Sequence, residues 1–180
     1  MAVLRTDYWT TPTEYLVGIS KFLHYANEID WKGQTYDLDC CANEINTKVK
    51  DNFITEAQNA LGLDWQGERV WCNPPYSRGN VDAFINKTIE QVQKSKKDVI
   101  MLLNVDPSTK YFQKIVDNAK AIVYVTGGRI RFIDNYTGGL GDSPTKASMF
   151  VLFSSSKVDF VHSYYVDINL LKQAGLNVNS

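Results

Sequence analysis

The apolar residues of this chain recur with two periods, and these periods predict an alternation of strands and helices. Continuous or alternating apolar runs predict strands at residues 35–42, 69–73, 98–105, 121–126 and 147–154, with a further short strand at residues 53–54. Apolar residues spaced three and four apart predict helices at residues 12–25, 81–94, 110–119 and 167–174. Because strands alternate with helices, we predict the α/β class, with one mostly parallel sheet that carries helices on both faces.

The longest stretch without a clear period is residues 127–146. An irregular stretch of this length inside a compact domain is usually functional. Its basic residues Arg129, Arg131 and Lys146 are candidates for phosphate contacts. An alternative remains open for the two arginines, because Arg-Ile-Arg-Phe-Ile also fits an edge strand with solvated arginines.

Length and composition favour a single globular domain over residues 1–180, with 44% hydrophobic and 22% charged residues. No apolar run approaches the about 20 residues that a membrane helix needs, and the first residues lack the apolar core of a secretory signal. We therefore expect a cytoplasmic protein. The formal net charge of −1 argues against a protein that coats nucleic acid, but not against an enzyme that contacts it briefly.

The three cysteines, Cys40, Cys41 and Cys72, include one adjacent pair and form no Cys-x-x-Cys motif. This pattern argues against both a disulfide framework and a zinc site. We therefore predict no metal site, and we interpret the cysteines as small core residues in a reducing compartment.

The chemistry that stands out is at residues 70–76 (VWCNPPY), where a short apolar strand runs into a rigid turn. Pro74 and Pro75 have fixed φ angles and no backbone donors, so they end the strand and stiffen the turn. Asn73 places an amide before the prolines, and Tyr76 places an aromatic ring after them. This arrangement suits a planar base that carries an exocyclic amine.

Two other stretches carry candidate binding residues. Thr11 suits the cap position and Pro12 the first position of the first helix. The free N-terminus of this helix can bind an anionic group, although a plain capped helix is the more common explanation of these residues. Asp37 and Asp39 lie two residues apart, on one face of a predicted strand end where α/β sheets bind ligands. Solvated strand-end carboxylates are the alternative. Asp64, in a later turn, is a candidate for contact with adenine or ribose.

Taken in order, these segments resemble the phage and prophage DNA adenine-N6-methyltransferase family. The resemblance rests on a set of segments that together cover most of residues 7–153: DYWTTP at residues 7–12, YDLDCCA at 36–42, ALGLDW at 60–65, VWCNPPY at 70–76, GRIRF at 128–132 and SPTKAS at 143–148. The tetrapeptide alone also occurs in enzymes that methylate RNA adenine or protein glutamine. The ordered set is more specific.

The resemblance implies a single Rossmann-like methyltransferase domain that uses S-adenosylmethionine to methylate the N6 amine of adenine in double-stranded DNA. It assigns catalysis to Asn73, Pro74, Pro75 and Tyr76. It assigns the cofactor to Tyr8, Trp9, Thr10, Thr11, Pro12, Asp37, Asp39 and Asp64. Arg78, Arg129, Arg131 and Lys146 are expected to contact the DNA.

The resemblance further implies a phage or prophage protein in the bacterial cytoplasm, with no membrane and no obligate protein partner. Alternatives that stay open are an RNA adenine or protein glutamine methyltransferase, and a binding module without catalysis. We expect Asn73→Ala to abolish transfer while sparing cofactor binding. We expect Tyr76→Phe to keep most of the activity, because base stacking needs only the ring.

Overall fold

The structure is a computed structural model that describes residues 9–77, 79–134, 137–141, 144–156 and 158–177. Within these residues the chain forms four helices and six strands. The helices are α1 (Thr13–Tyr25), α2 (Asn80–Lys94), α3 (Lys110–Asn118) and α4 (Ile168–Leu176). The strands are β1 (Leu38–Asp39), β2 (Arg69–Cys72), β3 (Asp98–Asn104), β4 (Ala121–Thr126), β5 (Ser148–Ser154) and β6 (His162–Asp167).

The strands form one mixed sheet in the order β1-β2-β3-β5-β4-β6. β1, β2 and β3 pair in parallel, and β4 pairs in parallel with β6. β5 lies between β3 and β4 and is antiparallel to both. An antiparallel neighbour needs no helical crossover, and residues 127–147 connect β4 to β5 along the chain. Except for β5, all strands point the same way, so their carboxyl ends lie at one edge of the sheet.

Apolar side chains on both faces of the sheet explain the layered packing. In β3, Val99, Met101 and Leu103 point to the side covered by α2 and α3. Ile100 and Leu102 point to the other side, which α1 and α4 cover. A strand buried on both faces reads as a continuous apolar run, as β3 does. The α/β class with helices on both faces is therefore confirmed.

Helices α1 and α4 approach each other closely through two glycines. A Cβ atom on Gly18 would lie 2.1 Å from the Leu171 carbonyl oxygen, and one on Gly175 would lie 1.7 Å from the Glu14 carbonyl oxygen. Both distances are far inside van der Waals contact, so only glycine fits at either position. The contact fixes the first turn of α1 relative to the rest of the fold.

Several features of the fold differ from the sequence-based expectations. The mostly parallel sheet is only partly right, because two of the five pairings between these strands are antiparallel. Strand β6 is a strand that the sequence analysis missed, and residues 53–54 contribute one isolated bridge, from Phe53 to Asp39. No helix in the part of the chain that is described is long and apolar enough to cross a membrane. The single domain and the Rossmann-like class stay predictions.

Candidate active site

The turn at residues 73–76, called here the NPPY turn, leaves the carboxyl end of β2. β2 ends at Cys72, opposite Met101 of β3, so Asn73 begins at the edge where the parallel strands end. The Oδ1 atom of Asn73 is buried and finds no hydrogen-bond partner among the described residues. A buried acceptor without a partner costs free energy, so its presence at a sheet edge points to a donor that arrives with a ligand.

The ring of Tyr76 is held by its hydroxyl group. This hydroxyl donates a hydrogen bond of 2.7 Å to the carbonyl oxygen of Leu102, just beyond the last β2–β3 pairing. Burial raises the pKa of Tyr76 far above its usual value, so the phenol keeps its proton and stays a donor. The turn and the hydroxyl together fix the position of the ring.

Phe132 links the NPPY turn to the amino-terminal segment, a role that the sequence analysis did not assign. Its ring centroid lies 6.0 Å from that of Trp9, in a stacked arrangement, and 6.5 Å from that of Tyr76. Phe132 is buried, whereas Arg129 and Arg131 on either side of Ile130 are exposed. The alternation of basic and apolar residues in this family-like segment could have predicted that the Phe132 ring faces inward.

The amino-terminal segment is paired to the irregular stretch by its backbone. Thr10 and Ile133 exchange two hydrogen bonds, of 2.9 and 2.8 Å. The next residue, Thr11, is buried, and its hydroxyl has no hydrogen-bond partner among the described residues; the same holds for Nε1 of Trp9. Two more buried polar atoms are thus left for a ligand.

The start of α1 differs from the expected Thr11 cap. Helix α1 begins at Thr13, with Pro12 in the N-cap position, and no side chain caps it. Thr11 therefore does not cap the helix, and the backbone N–H groups of the first turn lack a side-chain acceptor. Such an uncapped N-terminus favours an anionic group.

Asp39 organises the loop that follows β1. Its carboxylate accepts hydrogen bonds from the backbone N–H groups of Cys41 (3.3 Å) and Lys48 (2.9 Å). Burial raises the pKa of Asp39 to about 6, although these two bonds oppose the rise. The Lys48 side chain reaches Thr13 at the start of α1, at 3.5 Å. Asp39 thus connects β1, the loop and the start of α1.

Asp37 and Asp64 lie at the opposite edge of the sheet. Asp37 precedes β1 and accepts backbone bonds from Glu68 and Arg69, with the Arg69 guanidinium 2.9 Å away. Asp64 pairs with Gln91 and Lys94 in the last turn of α2, at 2.9 and 3.1 Å. These contacts are at the amino ends of β2 and β3, away from the NPPY turn. The placement does not support a cofactor contact for either carboxylate.

The structure describes three of the four residues that are expected to contact DNA. Arg129 donates to the Pro144 carbonyl oxygen at 2.8 Å, and Arg131 donates to that of Gly141 at 2.8 Å, while both side chains stay largely exposed. Lys146 is half exposed and paired with Asp106 at 2.5 Å. The fourth, Arg78, lies outside the described residues. So does Tyr8, which was expected to contact the cofactor. The two arginines brace their loop and still present N–H groups to solvent.

Comparisons with known proteins agree on one family. A family model described as "DNA N-6-adenine-methyltransferase (Dam)" matches residues 2–178. A DNA N-6-adenine-methyltransferase of Haemophilus phage HP1 is 45% identical over 171 residues, which cover 94% of this chain and 92% of the relative. One of Escherichia phage T1 is 31% identical over 178 residues, covering 90% of this chain and 69% of the relative.

Among solved structures, a part of the ATP-dependent Type ISP restriction-modification enzyme LlaBIII bound to DNA shows a weak likeness. It has a TM-score of 0.34 and 12% identity, covering 65% of this chain and 12% of that one. A likeness this low does not indicate a shared fold or function.

Proposed function

Because this chain belongs to the DNA N-6-adenine-methyltransferase (Dam) family, we propose that its NPPY turn is the site where adenine is methylated. Family membership confirms the prediction of an enzyme that methylates the N6 amine of adenine in DNA. It disfavours RNA adenine and protein glutamine as acceptors, and it disfavours a module without catalysis. The observation that carries the proposed site is the buried, unpartnered Oδ1 atom of Asn73 at the carboxyl edge of the sheet.

Asn73 and Pro74 supply the two acceptors that the reaction needs. The adenine amine is a poor nucleophile because its lone pair is delocalised into the ring. The Asn73 side-chain oxygen and the Pro74 carbonyl oxygen accept the two amine hydrogens, which draws the nitrogen toward tetrahedral geometry and localises the lone pair. Positive charge that develops on this nitrogen then meets oxygen dipoles already in place. No strong general base is required.

Tyr76 stacks on the target base, an interaction worth about 1–3 kcal/mol per base. The target adenine must leave the duplex to reach a buried amide, so the substrate is a flipped base from double-stranded DNA. Phe132 supports the Tyr76 ring from the irregular stretch, at a centroid distance of 6.5 Å. The proposed pocket is therefore formed by the NPPY turn and Phe132.

The cofactor that fits this site is S-adenosylmethionine, whose sulfonium supplies an already activated methyl group. Thr11 and Trp9 fit it because both leave a buried polar atom without a partner among the described residues. The uncapped N-terminus of α1, led by Pro12, suits the cofactor carboxylate. Thr10 holds this segment in place through its pairing with Ile133.

Asp39 acts as a positioning residue in this proposal. It is only 2% exposed, and its two oxygens hold the loop after β1 against the start of α1. It therefore shapes the cofactor site through Lys48 and the loop. Asp37 and Asp64 are left out, because their contacts place them at the other edge of the sheet.

DNA reaches the site from the carboxyl edge, where the exposed Arg129 and Arg131 contact its phosphates. Their side chains are fixed by bonds to loop carbonyls, which reduces the entropy lost on binding. The enzyme acts on DNA in the cytoplasm of the bacterial host.

The test is transfer of labelled methyl from S-adenosylmethionine to unmethylated duplex DNA, with digestion and mass spectrometry to identify N6-methyladenine. Asn73→Ala is expected to lower transfer by at least about 100-fold, as loss of a transition-state hydrogen bond does. Its cofactor affinity, measured by equilibrium dialysis, is expected to stay within a few fold of the unchanged protein. Asn118→Ala is the matched control, since Asn118 is exposed and bonds only within α3.

Full transfer by Asn73→Ala would remove the NPPY turn from the mechanism. Equal loss of transfer and cofactor binding would make Asn73 a cofactor ligand instead of the residue that activates the amine. The proposal is supported if the Asn118→Ala variant transfers methyl groups normally and the Asn73→Ala variant does not.

A further inference from the structure

Three sulfur atoms meet at Cys72, the residue that precedes the NPPY turn. The Cys41 Sγ atom lies 3.9 Å from that of Cys40 and 3.8 Å from that of Cys72, and all three lie within 4.8 Å of one another. These are all the cysteines of the chain, although 31 positions separate the second from the third. Nothing in the proposed methyl transfer uses them.

The sheet register explains why they converge. β1 and β2 are parallel neighbours, and the Cys40 N–H donates to the Trp71 carbonyl oxygen at 3.1 Å. Cys40 and Cys72 therefore lie side by side and share the apolar cluster under α2. β1 ends at Asp39, so the strict alternation of side chains also ends there. Cys41 is free to turn its sulfur toward the same cluster.

The two separations from the Cys41 sulfur, 3.9 and 3.8 Å, match those of a metal-bound thiolate set better than those of a disulfide, and the third separation is within 4.8 Å. In a tetrahedral site with a metal–sulfur distance of about 2.3 Å, the sulfur atoms stand about 3.8 Å apart. A disulfide requires about 2.0 Å. We propose that Cys40, Cys41 and Cys72 bind one soft divalent cation, such as Zn²⁺ or Cd²⁺, through three thiolates. This proposal replaces the sequence-based expectation of no metal site.

The surroundings are compatible with such an ion. Burial raises the pKa of the Cys40 and Cys41 thiols well above their ordinary value, so binding must release their protons to solvent as the cation takes their place. Cys40 and Cys72 are buried, whereas Cys41 is half-buried. Three protein ligands leave a fourth position for water. Thiolate ligands select soft cations over Mg²⁺ or Ca²⁺.

The test uses the full chain, freed of metal by a chelator and kept reduced by a phosphine. Cd²⁺ is titrated while the ultraviolet sulfur-to-cadmium charge-transfer absorption is followed. We expect saturation at one ion per chain and reversal by excess Zn²⁺. Cys41→Ser and Cys72→Ser are each expected to weaken binding by more than about 100-fold, since even loss of an outer partner costs about 10–100-fold.

Met101→Leu serves as the matched control. Met101 lies opposite Cys72 in the same buried cluster. The Met101→Leu variant keeps all three thiols and removes a neighbouring thioether sulfur. Its Cd²⁺ affinity is expected to be unchanged. Circular dichroism checks that each variant folds, and Cys41→Ser is the decisive one because its side chain is only half-buried.

Two results would overturn the proposal. One is no charge-transfer absorption in the unchanged protein while a thiol reagent counts three free cysteines after unfolding. The other is a folded Cys41→Ser variant that binds Cd²⁺ as tightly as the unchanged protein.

Discussion

The hydroxyl group of Tyr76 changes the expected effect of replacing this residue by phenylalanine. The tetrapeptide predicts a ring for stacking, and stacking alone needs no hydroxyl. In the folded chain the hydroxyl donates to the Leu102 carbonyl oxygen and so determines where the ring lies. The expectation that Tyr76→Phe is nearly silent must be modified.

We predict that Tyr76→Phe lowers the free energy of unfolding by about 1–3 kcal/mol, because a buried acceptor is left without its donor. Transfer is expected to fall by several fold, and by more in Tyr76→Ala, which also loses the stacking face. Urea unfolding and the transfer assay measure the two effects. Tyr165→Phe, on the exposed side of β6, is the control and should change neither. A Tyr76→Phe protein of unchanged stability would contradict the inferred role of the hydroxyl.

At the scale of elements, α1 matters because the proposed cofactor segment, residues 9–12, leads directly into its first turn. Its position depends on α4, which contacts α1 through Gly18 and Gly175. A helix from the far end of the chain therefore fixes the amino-terminal half of the site.

We predict that Gly175→Ala destabilises the protein despite the higher helix propensity of alanine. The propensity gain is about 1 kcal/mol, whereas a Cβ atom 1.7 Å from the Glu14 carbonyl oxygen forces α4 away from α1. Overpacking of this kind costs about 1–3 kcal/mol or more. The net loss should appear as a lower melting temperature and as weaker binding of S-adenosylmethionine.

Gly62→Ala provides the comparison for that substitution. The nearest atoms to a Cβ at Gly62 are 3.5 Å away, an ordinary contact. Its melting temperature should stay close to that of the unchanged protein. A Gly175→Ala protein as stable as Gly62→Ala would show that the two helices can separate without cost.

At the scale of the whole molecule, the two edges of the sheet have different roles. The carboxyl edge holds the NPPY turn, the uncapped start of α1 and the two loop arginines. The amino edge holds ion pairs, such as Arg69 with Asp37 and Lys94 with Asp64. With a net charge of −1, binding to DNA must come from local cations at the first edge and not from the overall charge.

We predict that the double variant Arg129→Gln/Arg131→Gln weakens binding to duplex DNA and flattens its salt dependence. Each phosphate contact contributes about 0.9 to the slope of log affinity against log salt concentration, so the slope should fall by about 2. Fluorescence anisotropy of a labelled duplex over a series of salt concentrations measures this. Lys96→Gln, a cation at the amino edge, is the control. An unchanged slope in the double variant would favour the alternative of solvated arginines.

Short-range patterns were enough to predict most elements and the chemistry of the NPPY turn, because helix period, strand period and proline geometry are local properties. Tertiary structure decided the rest, since it depends on which remote segments become neighbours. Pairing placed β5 antiparallel between β3 and β4, added β6 at an edge and put Phe132 beside Tyr76. It also put Asp37 at the amino edge and brought Cys72 to Cys40 and Cys41, which spacing along the chain could not reveal.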